Sequence, residues 1–113
     1  MWNKDKTTDD FTFIAVAYDG KGNLPNFEQA DTFWCYYLTG RRVKKRQLLS
    51  LTVKNTEDLI AQFRASMFDV IICWNFGPKS IYQLKQVGLH LFTFDGGSAA
   101  AVRAFRRGEL QEL

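Results

Sequence analysis

The stretch Phe-Thr-Phe-Ile-Ala-Val-Ala-Tyr at residues 11–18 constrains this fold more than any other part of the sequence. It is apolar or β-favouring at almost every position and lacks the polar alternation of a strand with one wet face, so both of its faces need cover. Residues 70–74, Val-Ile-Ile-Cys-Trp, repeat that character in a shorter run. Two such strands belong at the centre of a sheet with helices on either side, because only there are both faces dry.

The intervening and following segments supply the remaining elements. Asp19-Gly20 ends the first strand, and a loop rich in Gly, Asn and Pro continues to about Asp31. Residues 32–38 are dense in aromatic and β-branched types, and Thr39-Gly40-Arg41 connects them to a second extended run reaching Val53, which predicts a β-hairpin. Asn55 is placed to cap a helix with Glu57 and Asp58 in its first turn and Leu59, Ile60, Phe63 and Met67 as its apolar stripe. Gly77-Pro78 opens a second helix with Ile81, Leu84 and Val87 facing the core, and Gly88 stops it. Residues 89–94 form the last strand, Asp95-Gly96-Gly97 a turn, and Ser98 a cap for a third helix over 99–107, ended by Gly108.

The order β-β-β-α-β-α-β-α defines an α/β fold. An antiparallel hairpin followed by right-handed crossovers predicts a mixed five-stranded sheet of order 3-2-1-4-5 flanked by three helices, with the first and fourth strands adjacent. The expected core comprises Phe13, Ile14, Val16, Leu59, Ile60, Phe63, Val70, Ile71, Ile72, Ile81, Leu84, Leu91, Val102 and Phe105.

A length of 113 residues fits one domain, over 11–113, and the polar residues 1–10 read as a flexible tail. The formal charge of +3 is too small to announce a nucleic-acid or membrane partner by itself. Cys35 and Cys73 lie inside apolar runs and are expected to be reduced. Residues 1–10 lack the apolar centre of a signal peptide and no window is long and apolar enough to span a bilayer, so a cytoplasmic location and no membrane partner are expected.

Ligands of such sheets collect beyond the carboxyl ends of the parallel strands. Three loops meet there: 19–31, 74–78 and 95–98. Free N–H groups at the Gly77-Pro78 helix start, with Lys79 beside them, suit a small anion; the plainer reading is an ordinary strand–helix turn. Cys73 is a candidate soft ligand or a small buried hydrophobe, and Cys35 has no partner at a metal-ligand spacing. His90, the single histidine, reads as a partly packed strand residue. Asp19 and Asp95 follow the first and last strands and could share a cation, as in ribonuclease H-like nucleases, but both precede glycine, where aspartate stabilises turns. No triad chemistry is supported, and no catalytic residue is assigned. The basic run Arg41, Arg42, Lys44, Lys45 and Arg46 offers a protein- or nucleic-acid-interaction surface, with a solvated hairpin tip favoured because no supporting basic patch is evident nearby.

Several short motifs follow one another along the chain: Asp19-Gly20, then Asn26-Phe27-Glu28-Gln29-Ala30 followed by Phe33, then Cys73-Trp74-Asn75-Phe76-Gly77-Pro78-Lys79-Ser80, and an ending that runs from Gly88-Leu89-His90 through Phe94-Asp95-Gly96 to Phe105 and Gly108-Glu109-Leu110. Taken in order, they resemble the dinitrogenase iron–molybdenum cofactor biosynthesis family. The resemblance implies a three-layer ribonuclease H-like fold and a non-catalytic role in binding or carrying an anionic iron–sulfur or iron–molybdenum cluster. The implied ligand residues are Asn26, Cys73, Trp74, Asn75, Gly77, Pro78, Lys79 and Asp95, with Cys73 as the metal ligand. The family histidine falls at Asn26, the following glycine at Glu28, the arginine at Gln29 and the paired glycines at Trp74 and Asn75. An amide is a poor metal ligand and Glu28 adds negative charge, so weaker cluster recognition is expected while the helix start stays suited to an anion.

Overall fold

A computed structural model describes residues 11–113; the tail expected over 1–10 lies outside the described residues. The strands are β1 (Phe11–Ala17), β2 (Thr32–Thr39), β3 (Arg42–Ser50), β4 (Val70–Cys73) and β5 (His90–Thr93), and the helices are α1 (Thr56–Arg64), α2 (Pro78–Lys85) and α3 (Ser98–Arg106). They form one sheet of order β3-β2-β1-β4-β5, as expected. β1 pairs antiparallel with β2 and parallel with β4, with Ile14, Ala15 and Val16 opposite Val70, Ile71 and Ile72. All six of these residues are fully buried, which is the physical reason the two runs occupy the centre.

The pleat divides the core into two layers. Ala15, Ala17, Phe33, Ile71 and Leu91 pack against Leu59, Ile60 and Phe63 of α1 and Leu84 of α2. Ile14, Val16, Tyr36, Leu38, Val70 and Ile72 pack against Ala101, Val102 and Phe105 of α3 on the other face. The arrangement is the three-layer α/β fold the strand order predicts. Among the described residues no helix is long and apolar enough to cross a membrane.

Local details depart from the sequence reading in four places. Met67 is 78% exposed because α1 ends at Arg64, which takes position 67 off the helical stripe. Val87 is exposed for the same reason, lying between the end of α2 and Gly88, whose φ of 87° reverses the chain. The cap of α3 is Gly97, and Ser98 is the first helical residue. A Cβ at Gly97 would stand 3.0 Å from the Gly22 carbonyl oxygen, so the absence of a side chain lets two loops meet. Phe13 and Ile81 are half-buried rather than central. His90 begins the edge strand β5 and is half-buried, its Nδ1 2.6 Å from Glu112 Oε2.

Candidate functional site

The crevice beyond β1, β4 and β5 is built from three segments that hydrogen-bond to one another. The segment 18–31 crosses the strand ends: Leu24 N–H donates to the Gly96 carbonyl (3.0 Å), Trp74 N–H to the Pro25 carbonyl (3.0 Å) and Phe27 N–H to the Asn75 carbonyl (2.9 Å). A loop normally satisfies its backbone with water. Here the bonds go to the neighbouring loops, so the segment is fastened across the sheet end.

Beneath it, aromatic rings take up the interior. Phe27 is fully buried in the short 3-10 turn Phe27–Gln29, stacks on Phe76 (centroids 5.5 Å) and touches Phe63 (5.7 Å). Phe76 is itself buried, whereas Trp74 is 53% exposed and Asn75 is exposed, with Asn75 Oδ1 accepting the Phe76 N–H at 2.9 Å. The Trp74–Phe76 turn therefore inserts the phenyl ring, not the indole.

Glu28 occupies the start of α2. Its Oε2 accepts the Gly77 N–H at 2.8 Å and the Ser80 hydroxyl at 2.5 Å, and Ser80 is buried. Gly77 supplies no side-chain cap and Pro78 has no N–H, so the carboxylate does what a capping side chain or bound anion does at a helix N-terminus. A Cβ at position 77 would lie 3.1 Å from the Glu28 oxygen, so a side chain there would press the carboxylate aside by a few tenths of an ångström. The sequence shows a carboxylate at position 28, but not that it folds back onto a helix 49 residues later.

The other candidate residues are distributed as follows. Cys73 ends β4, fully buried, and its thiol pKa is pushed well above the ordinary range, first by burial and then by the Glu28 charge. Asn26 precedes the 3-10 turn, and its Oδ1 is buried with no hydrogen-bond partner. Lys79 pairs with Glu57 in the first turn of α1 at 2.8 Å. Asp95 is exposed after β5, and Asp19 accepts the Lys21 N–H at 2.6 Å as a turn stabiliser. Among the described residues no three His, Cys, Asp or Glu side chains come together as a set able to hold a metal ion.

An open cavity of about 470 Å³ does border the segment 18–31, on the side facing β3. It is lined in part by Asp19, Asp31 and Gln29, with no lysine or arginine. A neutral thiol, an unpaired amide oxygen, a helix start already bonded to a carboxylate and an acidic neighbouring cavity do not fit an anionic metal cluster.

The basic hairpin is the second candidate site. Its five charges lie at the Gly40-Arg41 turn and along β3, where all are exposed. Arg46 covers the Trp34 ring (4.7 Å) and Lys45 stands 5.9 Å from the Tyr37 centroid. The expectation that no other basic patch adjoins them is corrected by Arg106, whose Nε donates to the Arg41 carbonyl at 2.6 Å. That bond brings the last turn of α3, with Arg103 and Arg106, to the hairpin tip.

No protein-family model matches the chain. An uncharacterized protein of Methanocaldococcus jannaschii is 23% identical over 106 residues, covering 88% of this chain and 90% of its own length. Among solved structures, a proposed dinitrogenase of Methanocaldococcus jannaschii superposes with a TM-score of 0.74 at 15% identity, covering 92% of this chain and 96% of that one. A proposed NifB protein of Thermotoga gives 0.69 at 20% identity, covering 90% and 93%. These likenesses establish a shared fold along nearly the whole described chain.

Proposed function

We propose that this protein is a non-catalytic binding module of the dinitrogenase iron–molybdenum cofactor biosynthesis type in which the chain's own Glu28 takes the place of the anionic ligand. The ordered motifs and the fold shared with the proposed dinitrogenase and NifB proteins support the kinship. The observation that carries the proposal is the pair of bonds from Glu28 to Gly77 and Ser80. An anion-binding helix start bonded to an internal carboxylate has no remaining reason to take a second negative charge.

The test is anaerobic titration of the purified protein with an iron–sulfur or an iron–molybdenum cluster, followed by metal analysis. No stoichiometric uptake is expected. Tight, stoichiometric uptake that disappears in Cys73→Ser would overturn the proposal and make Cys73 a ligand.

A second reading, an interaction module that meets its partner through the hairpin, is favoured by the Arg106–Arg41 bond, which joins two basic segments into one face.

A further inference from the structure

β3 is the outermost strand, and among the described residues nothing pairs with its outer side. The direction of its backbone groups follows from two bonds. Tyr18 N–H donates to the Thr32 carbonyl, so position 32 of β2 faces β1, and Leu51 N–H donates to the Asp31 carbonyl, so positions 31 and 51 face each other. Alternation along an antiparallel pair then turns Gln47 and Leu49 toward β2, and turns the N–H and C=O of Arg46, Leu48 and Ser50 outward. A bulge at Tyr37/Leu38 interrupts the register near the turn, leaving residues 45–50 as a regular open edge.

Open edges are protected against self-pairing by charge, and Lys44, Lys45 and Arg46 supply it here. The protection is selective. Residues 32–56 and 96–108 hold the five hairpin charges, Lys54, Arg103, Arg106 and Arg107, and none of the chain's 12 Asp and Glu. A second copy of this edge is repelled at residues 44–46, whereas an acidic strand is attracted there; at the far end of β3, Leu48 and Ser50 border Asp19 and Asp31, so the charge favours acidic side chains beside the hairpin tip.

Beside the edge, on the α1 face, lies an apolar cavity of about 260 Å³. β1 contributes Phe13, β2 Cys35 and Tyr37, β3 Gln47 and Leu49, and the turn after α1 Met67 and Phe68. Gln47 and Leu49 belong to the open edge itself, so a strand added there would place alternate side chains beside the cavity. Strand addition draws affinity from main-chain bonds and specificity from such pockets. Nucleic acid is a poorer match, because the rings beside the charges are engaged: Trp34 with Arg46 and Tyr18, and Tyr37 with Phe13.

We propose that the outer edge of β3 accepts an extended acidic segment of a partner protein as a sixth strand, with a large apolar side chain of that segment seated beside Leu49. This rests on the second functional reading, that of an interaction module working through the hairpin.

The probe is a fluorescein-labelled ten-residue peptide alternating glutamate with leucine, compared with a peptide of the same composition in two blocks and with a twenty-nucleotide single-stranded thymidine oligomer. The alternating peptide is expected to bind best. Leu48→Pro removes an outward N–H and no ladder bond, so it should weaken binding at least tenfold while Leu48→Ala retains it. Lys45→Glu with Arg46→Glu should also weaken binding at least tenfold. In the unaltered protein, peptide should slow amide hydrogen exchange at Arg46, Leu48 and Ser50, a readout that stands even if Leu48→Pro fails to fold. Loss on charge reversal with no effect of Leu48→Pro and no protection of those three amides would overturn strand addition and leave the interaction-module reading standing. Absence of peptide binding overturns strand addition, and tighter binding of the oligomer than of either peptide overturns the choice of a protein partner.

Discussion

Glu28 shows how one side chain can redirect a site. Hydrogen bonds to a charged acceptor contribute about 1.5–3 kcal/mol each, so Glu28→Ala should lower stability by at least that amount, read from the urea midpoint. The two thiols give a second prediction at this scale. Burial pushes Cys35 up to about 11, and Cys73 too is held well above the usual thiol range, first by burial and then by the Glu28 charge. A thiol held neutral in the fold but free to ionise when unfolded contributes stability below pH about 9 that is lost as pH rises toward the folded value. Stability should therefore fall by about 1.4 kcal/mol per pH unit for each thiol above pH 9, and Cys35→Ala should be less steep than the unaltered protein in urea titrations at pH 8–10.5. The sequence displays the amide at 26 and the carboxylate at 28, because residue types are visible in it. The partner of that carboxylate is not, since a bond between residues 28 and 77 exists only after the sheet has assembled.

At the scale of elements, short-range signals were the most readable. Asn55 caps α1 as its position implies, Oδ1 accepting the Asp58 N–H at 2.8 Å, and Asn55→Ala should cost about 1 kcal/mol in thermal or urea unfolding. Met67 and Val87 carry the right periodicity but lie beyond helix ends that periodicity alone does not fix. Ser98 lost the capping position to Gly97 because a close backbone approach outweighed an oxygen acceptor. The basic face is hidden in the sequence for a different reason: its halves, 41–46 and 103–107, are remote along the chain and joined by one side-chain bond. The absence of any acidic residue from both stretches was the available sign.

For the whole molecule, strand order was legible because two runs needing cover on both faces can sit side by side only in mid-sheet, and connection length then fixes the rest. Core deletions on either face should be severe. Phe33→Ala, which removes a ring fully buried and 5.0 Å from Phe63, should cost about 3–5 kcal/mol, and Ile72→Ala, on the α3 face, about 2–5 kcal/mol, by urea denaturation. The meeting of the three loops beyond the strand ends was legible in the same way, but the way they close was not, since the bonds from Leu24, Phe27 and Trp74 join backbone groups that no residue type marks.

The bonds from Leu24, Phe27 and Trp74 turn those loops into something like a seam, sewn by three stitches to two different partners. No single loop can lift without breaking a bond that another loop holds. Lifting the segment 18–31 breaks all three, so in that opening the amides of Leu24, Phe27 and Trp74 should exchange with solvent at one common free energy. A guest seeking the interior would wait on that concerted event, and would have to arrive during it.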